Sequence, residues 1–207
     1  MSAADVVLAS ASPRRRDLLA ALGVAVTVMP ADVDERALPG EAPPALVARL
    51  AAAKAGAVHA RLAALDAGGA AGTNGGVGAD ALVIAADTVV VVDGEVLGKP
   101  ADELERRAFI ERLAGRSHVV LSGHCLWRGQ HTRSHVERTV VTFRPLDERD
   151  VAAYVASGEG HDKAGAYAIQ GRGAGLVERI EGCYSNVVGL SLPTVITLAR
   201  ALGVRLG

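Results

Sequence analysis

The chain has 207 residues, with 22 Lys and Arg against 23 Asp and Glu and a formal charge of −1 when histidine is neutral. That length suits one domain of roughly 200 residues, or two small lobes, around a sizeable core. The balanced charge excludes a protein that grips nucleic acid or an anionic membrane by bulk phosphate neutralisation. Half of the residues are hydrophobic but only 3% are aromatic, so the expected core is Val, Leu and Ala. No apolar run reaches the ~20 residues of a bilayer span. The arginines 14–16 follow the first apolar run, where a leader peptide would place them ahead of it. With Cys125 and Cys183 far apart in sequence and no disulfide framework, a cytoplasmic protein is expected.

In chain order, Asp5 to Ala9 reads as a short strand. Ser12 as N-cap, Pro13 at the first helical position and Gly23 just past the end predict a helix between them. Gly23 to Met29 predicts a second strand, and Pro43 and Pro44 open a helix to about Leu65. The Gly/Ala-rich stretch Asp66 to Ala79 has no periodicity and reads as a flexible insertion. Ala81 to Val92 is a near-continuous apolar run, as in a strand covered on both faces, and Asp93-Gly94 marks a turn after it. Asp102 to Ala114 predicts a helix, Ser117 to Trp127 and Val136 to Phe143 neighbouring strands, Asp147 to Ser157 and Pro193 to Leu202 further helices. Interleaved helices and strands, with no repeat or clear linker, predict an α/β fold with a mixed sheet, in a single domain over 1–207.

Three features carry chemistry. Arg14 to Arg16 stand in the first turn of a helix, where the dipole disfavours cations. They are either a solvated basic helix start or, with Ser10, part of a phosphate cradle. Asp87 lies inside an apolar strand, which requires a salt bridge, a metal or a general-base role to offset burial. Lys54, stepped at ~100° per residue, falls on the apolar face of its helix among Val47, Leu50 and Val58. It either snorkels or points at an anionic ligand.

Other chemistries find no support. His131 and His135 lie four apart in a polar stretch between predicted strands, without HExxH or CxxC. Gly171, Gly173 and Gly175 make only a loose GxGxG, and neither a P-loop nor a GxSxG elbow occurs.

The stretches LASASPRRRDLLAALG from Leu8, DVDE from Asp32, LVARLAAAKA from Leu46, VIAADTVVVVDGEVLGKP from Val83 and DKAGAYAIQGRGAGLVERIEGCYSNVVGL from Asp162 together resemble the Maf family of nucleoside triphosphate pyrophosphatases. The resemblance spans nearly the whole chain except residues 66–79. It implies an elongated, twisted mixed sheet flanked by helices, with two lobes around a nucleotide cleft, and a homodimer. It also implies a divalent metal and hydrolysis of the α,β-phosphoanhydride of a nucleoside triphosphate; the hard oxygens of Asp87 and Glu35 are the expected ligands of Mg²⁺ or Mn²⁺. On the matching motifs, Asp87 falls on the proton acceptor and Glu35, Lys54 and Lys99 on charged catalytic positions. Ser10, Arg14, Arg15, Thr88, Lys163 and Gln170 fall on substrate-binding positions, of which Arg14, Thr88 and Gln170 bear on the choice of base.

The ADT and IQG forms resemble the dTTP/UTP branch, and the Gln170 amide can both donate to and accept from an imide edge. A 7-methyl-GTP or broader house-cleaning pyrophosphatase and a non-catalytic nucleotide-binding regulator of cell division are the alternatives. Cys183, Ser185, Ser191 and Ala11 depart from the family pattern; Cys183 removes an acidic residue near the implied site.

Overall fold

A computed structural model describes residues 5–67, 78 and 80–207. Seven strands are joined in one mixed sheet: β1 (Val6–Leu8), β2 (Thr27–Val28), β3 (Leu82–Val92), β4 (Glu95–Leu97), β5 (Ser117–Arg128), β6 (His131–Phe143) and β7 (Val177–Glu181). They are hydrogen-bonded in the order β2-β1-β3-β5-β6-β7, with β4 paired to β3 off this path. β1 runs parallel to β2 and β3, while β3–β4 and β6–β7 are antiparallel. Among the described residues the α-helices are α1 (Pro13–Ala21), α2 (Pro43–Ala67), α3 (Glu103–Leu113), α4 (Glu148–Ala156), α5 (Tyr184–Val188) and α6 (Leu192–Ala201). Among the described residues no helix is long and apolar enough to cross a membrane.

The chain forms two compact units. The first comprises Met1–Asp87, Gly123–Val136 and Gly189–Gly207, the second Thr88–Ser122 and Glu137–Val188.

The period of two along a strand builds the first unit. Val6 and Leu8 of β1 and Leu82, Ile84 and Ala86 of β3 turn to one side, where they meet Leu19 of α1 and Val195 and Ala199 of α6. Val7, Ala9, Ala81, Val83 and Ala85 turn to the other and meet Ala51, Ala55, Val58 and Leu62 of α2. At Gly123 of β5 any Cβ would collide with the Val47 carbonyl of α2, so only glycine permits that approach.

Helix ends follow local chemistry. α1 closes with Gly23 at φ +74°, its N–H bonding Ala20 O and that of Val24 bonding Leu19 O, a Schellman cap. This cap explains why the second predicted strand shortens to Thr27–Val28: the Val24 amide is spent on the helix and cannot join a ladder. α2 extends two residues past Leu65, through Asp66 and Ala67. The rest of the predicted insertion, apart from Gly78, lies outside the described residues. Asp93 and Gly94, both at positive φ, turn β3 into β4 as a type I′ hairpin requires. His131 and His135 stand inside β6, not between strands, because the hairpin at Gly129 (φ +54°) is tight and pairing begins directly after it.

The second unit buries a ring cluster. His118, 2% exposed, meets Phe143 and Tyr167 edge to face, with centroids 5.1 and 5.3 Å away. Its Nε2 lies 2.7 Å from the Tyr167 hydroxyl. Burial pushes the imidazole down to about 4, so it stays neutral in the fold, whereas the unfolded chain takes up a proton near pH ~6.5. Below that pH the unfolded state binds more protons, so this contribution is complete above pH ~6.5 and is lost on acidification toward the folded value. A loss of about 2–3 kcal/mol by pH 4.5 is expected. Urea unfolding at pH 7 and 4.5 checks it: His118→Gln should flatten the acid dependence, and an unchanged slope would contradict the assignment.

Candidate active site

Continuing the alternation of β3, positions 81, 83 and 85 face α2, and Asp87 is next in that series. On α2 the buried stripe Val47, Leu50, Ala51, Lys54, Ala55, Val58 and Leu62 contains one charge. The two periodicities bring that charge and that carboxylate together: Lys54 Nζ donates to Asp87 Oδ1 at 2.7 Å. Both residues are 8% exposed, so each offsets the other's desolvation. Lys54 Nζ also lies 2.6 Å from Glu35 Oε1, whose side chain is 53% exposed. One ammonium is therefore flanked by a buried and a half-open carboxylate.

Glu35 stands on an irregular segment braced from α2. Arg49 donates to Arg36 O at 3.0 Å and forks onto Glu41 through Nε and Nη2, both at 2.7 Å. That pairing, with the Leu38 amide, holds the Glu41 carboxyl down at about 2. Arg36 in turn pairs with Asp34, and Arg61 donates to Pro30 O at 3.0 Å. No periodic signal marks Arg49 or Glu41 as supports, because their partners lie in a segment without regular structure.

Ser10 and Arg15 also meet. Arg15 donates through Nη1 to Ser10 Oγ at 3.1 Å and Ala86 O at 2.6 Å, and through Nε to Gly189 O at 2.8 Å. Burial lowers the Arg15 pKa against the opposing pull of Asp87. This arginine thus fixes the backbone immediately before Asp87. Arg14 is half-buried in the first turn of α1, and the basic start of that helix is not simply a solvated face.

In the second unit, the Thr88 hydroxyl lies 2.8 Å from Ser122 Oγ, and Ser122 Oγ donates to Asn186 O at 3.4 Å. Asn186 is fully buried and donates to Val120 O and Thr139 Oγ1. Thr139 Oγ1 also accepts from the Cys183 amide at 3.1 Å, so the divergent segment at Cys183 joins the same polar network. Lys99 is exposed after β4. Its neighbour Gly98 O accepts from Gly165 N at 3.0 Å, which ties this loop to the one bearing Lys163. Lys163 is half-buried and pairs with Asp162 at 2.5 Å, and Gln170 is exposed. Burial pushes the Cys125 thiol up to about 11, which disqualifies it as a nucleophile.

A family model described as Maf-like protein matches residues 5–202. The chain belongs to the Maf family. Among its relatives within that family, a Myxococcus xanthus protein named dTTP/UTP pyrophosphatase is 47% identical over 201 residues, covering 97% of this chain and 94% of that one. A protein of the same name from Symbiobacterium thermophilum is 46% identical over 199 residues, covering 96% and 94%. Another from Deinococcus radiodurans is 45% identical over 203 residues, covering 98% and 95%. In this Maf chain the Lys54, Asp87 and Glu35 group offers hard oxygen donors from two carboxylates. Among the described residues no group of three or more His, Cys, Asp or Glu is assembled for a metal. A donor set of two carboxylates fits a cation such as Mg²⁺, which takes one or two of them and leaves its other positions to water and substrate phosphates.

Proposed function

We propose that this chain is a hydrolase of acid anhydrides, a nucleoside triphosphate pyrophosphatase that converts dTTP and UTP to the monophosphate and pyrophosphate. The observation that carries the reading is the buried Asp87 held by Lys54 beside Glu35, in a chain whose relatives bear the name dTTP/UTP pyrophosphatase.

Asp87 Oδ1 accepts from Lys54, and Oδ2 takes the proton from the attacking water. The water oxygen bonds to the α-phosphorus as the bond from that phosphorus to the α,β-bridging oxygen breaks, and pyrophosphate leaves with the bridging oxygen. Lys54 holds the carboxylate in place and, once Asp87 is protonated, remains paired with Glu35. Arg14, Lys99 and Lys163 bind phosphate oxygens and offset the charge that grows on the leaving group. Arg15, with Ser10, fixes the loop and the backbone before Asp87. Thr88 and Gln170 select the base; the Gln170 amide pairs with the imide edge of thymine or uracil. Mg²⁺ or Mn²⁺ would be held by Asp87 and Glu35, and when bound supplies Lewis-acid neutralisation of the triphosphate.

Incubating the full chain with dTTP, UTP, CTP, GTP and 7-methyl-GTP, each with Mg²⁺ or Mn²⁺, tests the reading. Pyrophosphate should form from dTTP and UTP at least about tenfold faster than from the others, as expected of a site that hydrogen-bonds one base edge. Chelation of the metal should abolish turnover. Preference for 7-methyl-GTP, or no turnover at all, would contradict the reading.

A further inference from the structure

The segment that carries Gln170 is clamped on both sides within the second unit. On its N-terminal side the Ala168 amide donates to the Tyr154 hydroxyl at 3.1 Å, and Tyr154 is 4% exposed on α4. On its C-terminal side one carboxylate takes two amides: Arg172 N donates to Glu159 Oε1 and Gly173 N to Glu159 Oε2, both at 2.9 Å. These amides belong to the short 3₁₀ turn Gly171–Gly175, at whose N-cap Gln170 stands without capping through its own side chain. Gly171, at φ +62°, adopts a conformation suited to glycine, and a Cβ there would collide with the same carboxylate. Glu159 thus fits into a socket shaped by Gly171, the residue after Gln170, and completed by the backbone donors of the next two residues.

We infer that Glu159 is a positioning residue for base selection, fixing the backbone from which Gln170 reads the pyrimidine edge. The inference rests on the pyrimidine reading proposed above. Uracil and thymine present an N–H beside a carbonyl, whereas cytosine presents a ring nitrogen acceptor beside an amino donor. An amide in a fixed place and orientation accepts one pattern and leaves unpaired groups against the other. An amide on a loosened turn can shift or rotate to meet either. Glu159→Gln keeps the shape of the side chain but offers one acceptor and one amide donor to two backbone donors, so one arm of the clamp is lost.

The test measures kcat and KM for UTP and CTP with the wild-type chain and with Glu159→Gln, alongside thermal unfolding. The inference expects the UTP to CTP ratio of kcat/KM to fall about tenfold, the loss appearing mainly in KM for UTP. It also expects Gln170→Ala to abolish the preference and Glu159→Gln to add nothing on that background. Gly171→Ala should reproduce the relaxed preference, and Glu159→Asp replaces Glu159→Gln if the latter does not fold. A folded Glu159 variant with the wild-type ratio overturns the inference while leaving the pyrimidine reading intact. A wild-type chain that hydrolyses neither UTP nor dTTP overturns that reading, and this inference with it.

Discussion

Asp87→Asn should lower pyrophosphate release from dTTP by about 10²–10⁴, the range lost with a positioned general base, and leave the fold in place. The substitution is isosteric, and the amide oxygen can still accept from Lys54, which retains its contact with Glu35. What disappears is the proton acceptor, together with one of the two carboxylates proposed to hold the metal. Single-turnover rates and a thermal melt on the same sample separate the two effects: the rate should collapse while the melting temperature moves by a few degrees at most. An Asn variant that releases pyrophosphate at the wild-type rate would remove Asp87 from the chemistry and leave it as half of a structural ion pair.

Lys54→Met has the opposite signature, because it attacks stability and activity together. Methionine fills a similar volume in the stripe between Leu50 and Val58 but removes the cation from Asp87, which is 8% exposed. Breaking a buried pair by deleting one partner costs about 3–5 kcal/mol, since the remaining charge is uncompensated. For a chain of this size that corresponds to a fall in melting temperature of about 6–20 °C. The second carboxylate provides the contrast: Glu35 is half exposed, so Glu35→Gln should cost under about 1 kcal/mol. Combining Lys54→Met with Asp87→Asn should recover part of the lost stability, a coupling of at least about 1 kcal/mol in urea unfolding. Strict additivity of the two substitutions would contradict the pairing of Lys54 with Asp87.

Lys54 and Asp87 were each legible as charges out of place because each lies on a regular element with a fixed period, whereas their pairing with one another was not and came from the structure. The alternation of β3 and the apolar stripe of α2 are written in consecutive residues, so a charge inside either pattern stands out. Glu35 was not legible in that way; it sits on an irregular segment, and only its place in the DVDE stretch singled it out. Glu159 escaped altogether, since its two amide partners lie 13 and 14 residues away and nothing in the local sequence distinguishes it from a solvated glutamate after a helix. Ser122 and Asn186 escaped for a similar reason: their partners lie 34 to 66 residues away in sequence, and neither a serine in β5 nor an asparagine in the short α5 carries a periodic mark. The basic start of α1 was ambiguous in sequence. Its resolution needed the carbonyls of Ala86 and Gly189, which occupy donors of Arg15 that sequence reading had assigned to phosphate.

Hydrolysis of dTTP in H₂¹⁸O, followed by mass spectrometry of both products, tests the central claim most directly. Attack on the α-phosphorus by a water that loses its proton to Asp87 places one ¹⁸O in dTMP and leaves the pyrophosphate unlabelled. Label in the pyrophosphate, or release of labelled orthophosphate with dTDP, would show that a different bond is attacked and would contradict the account.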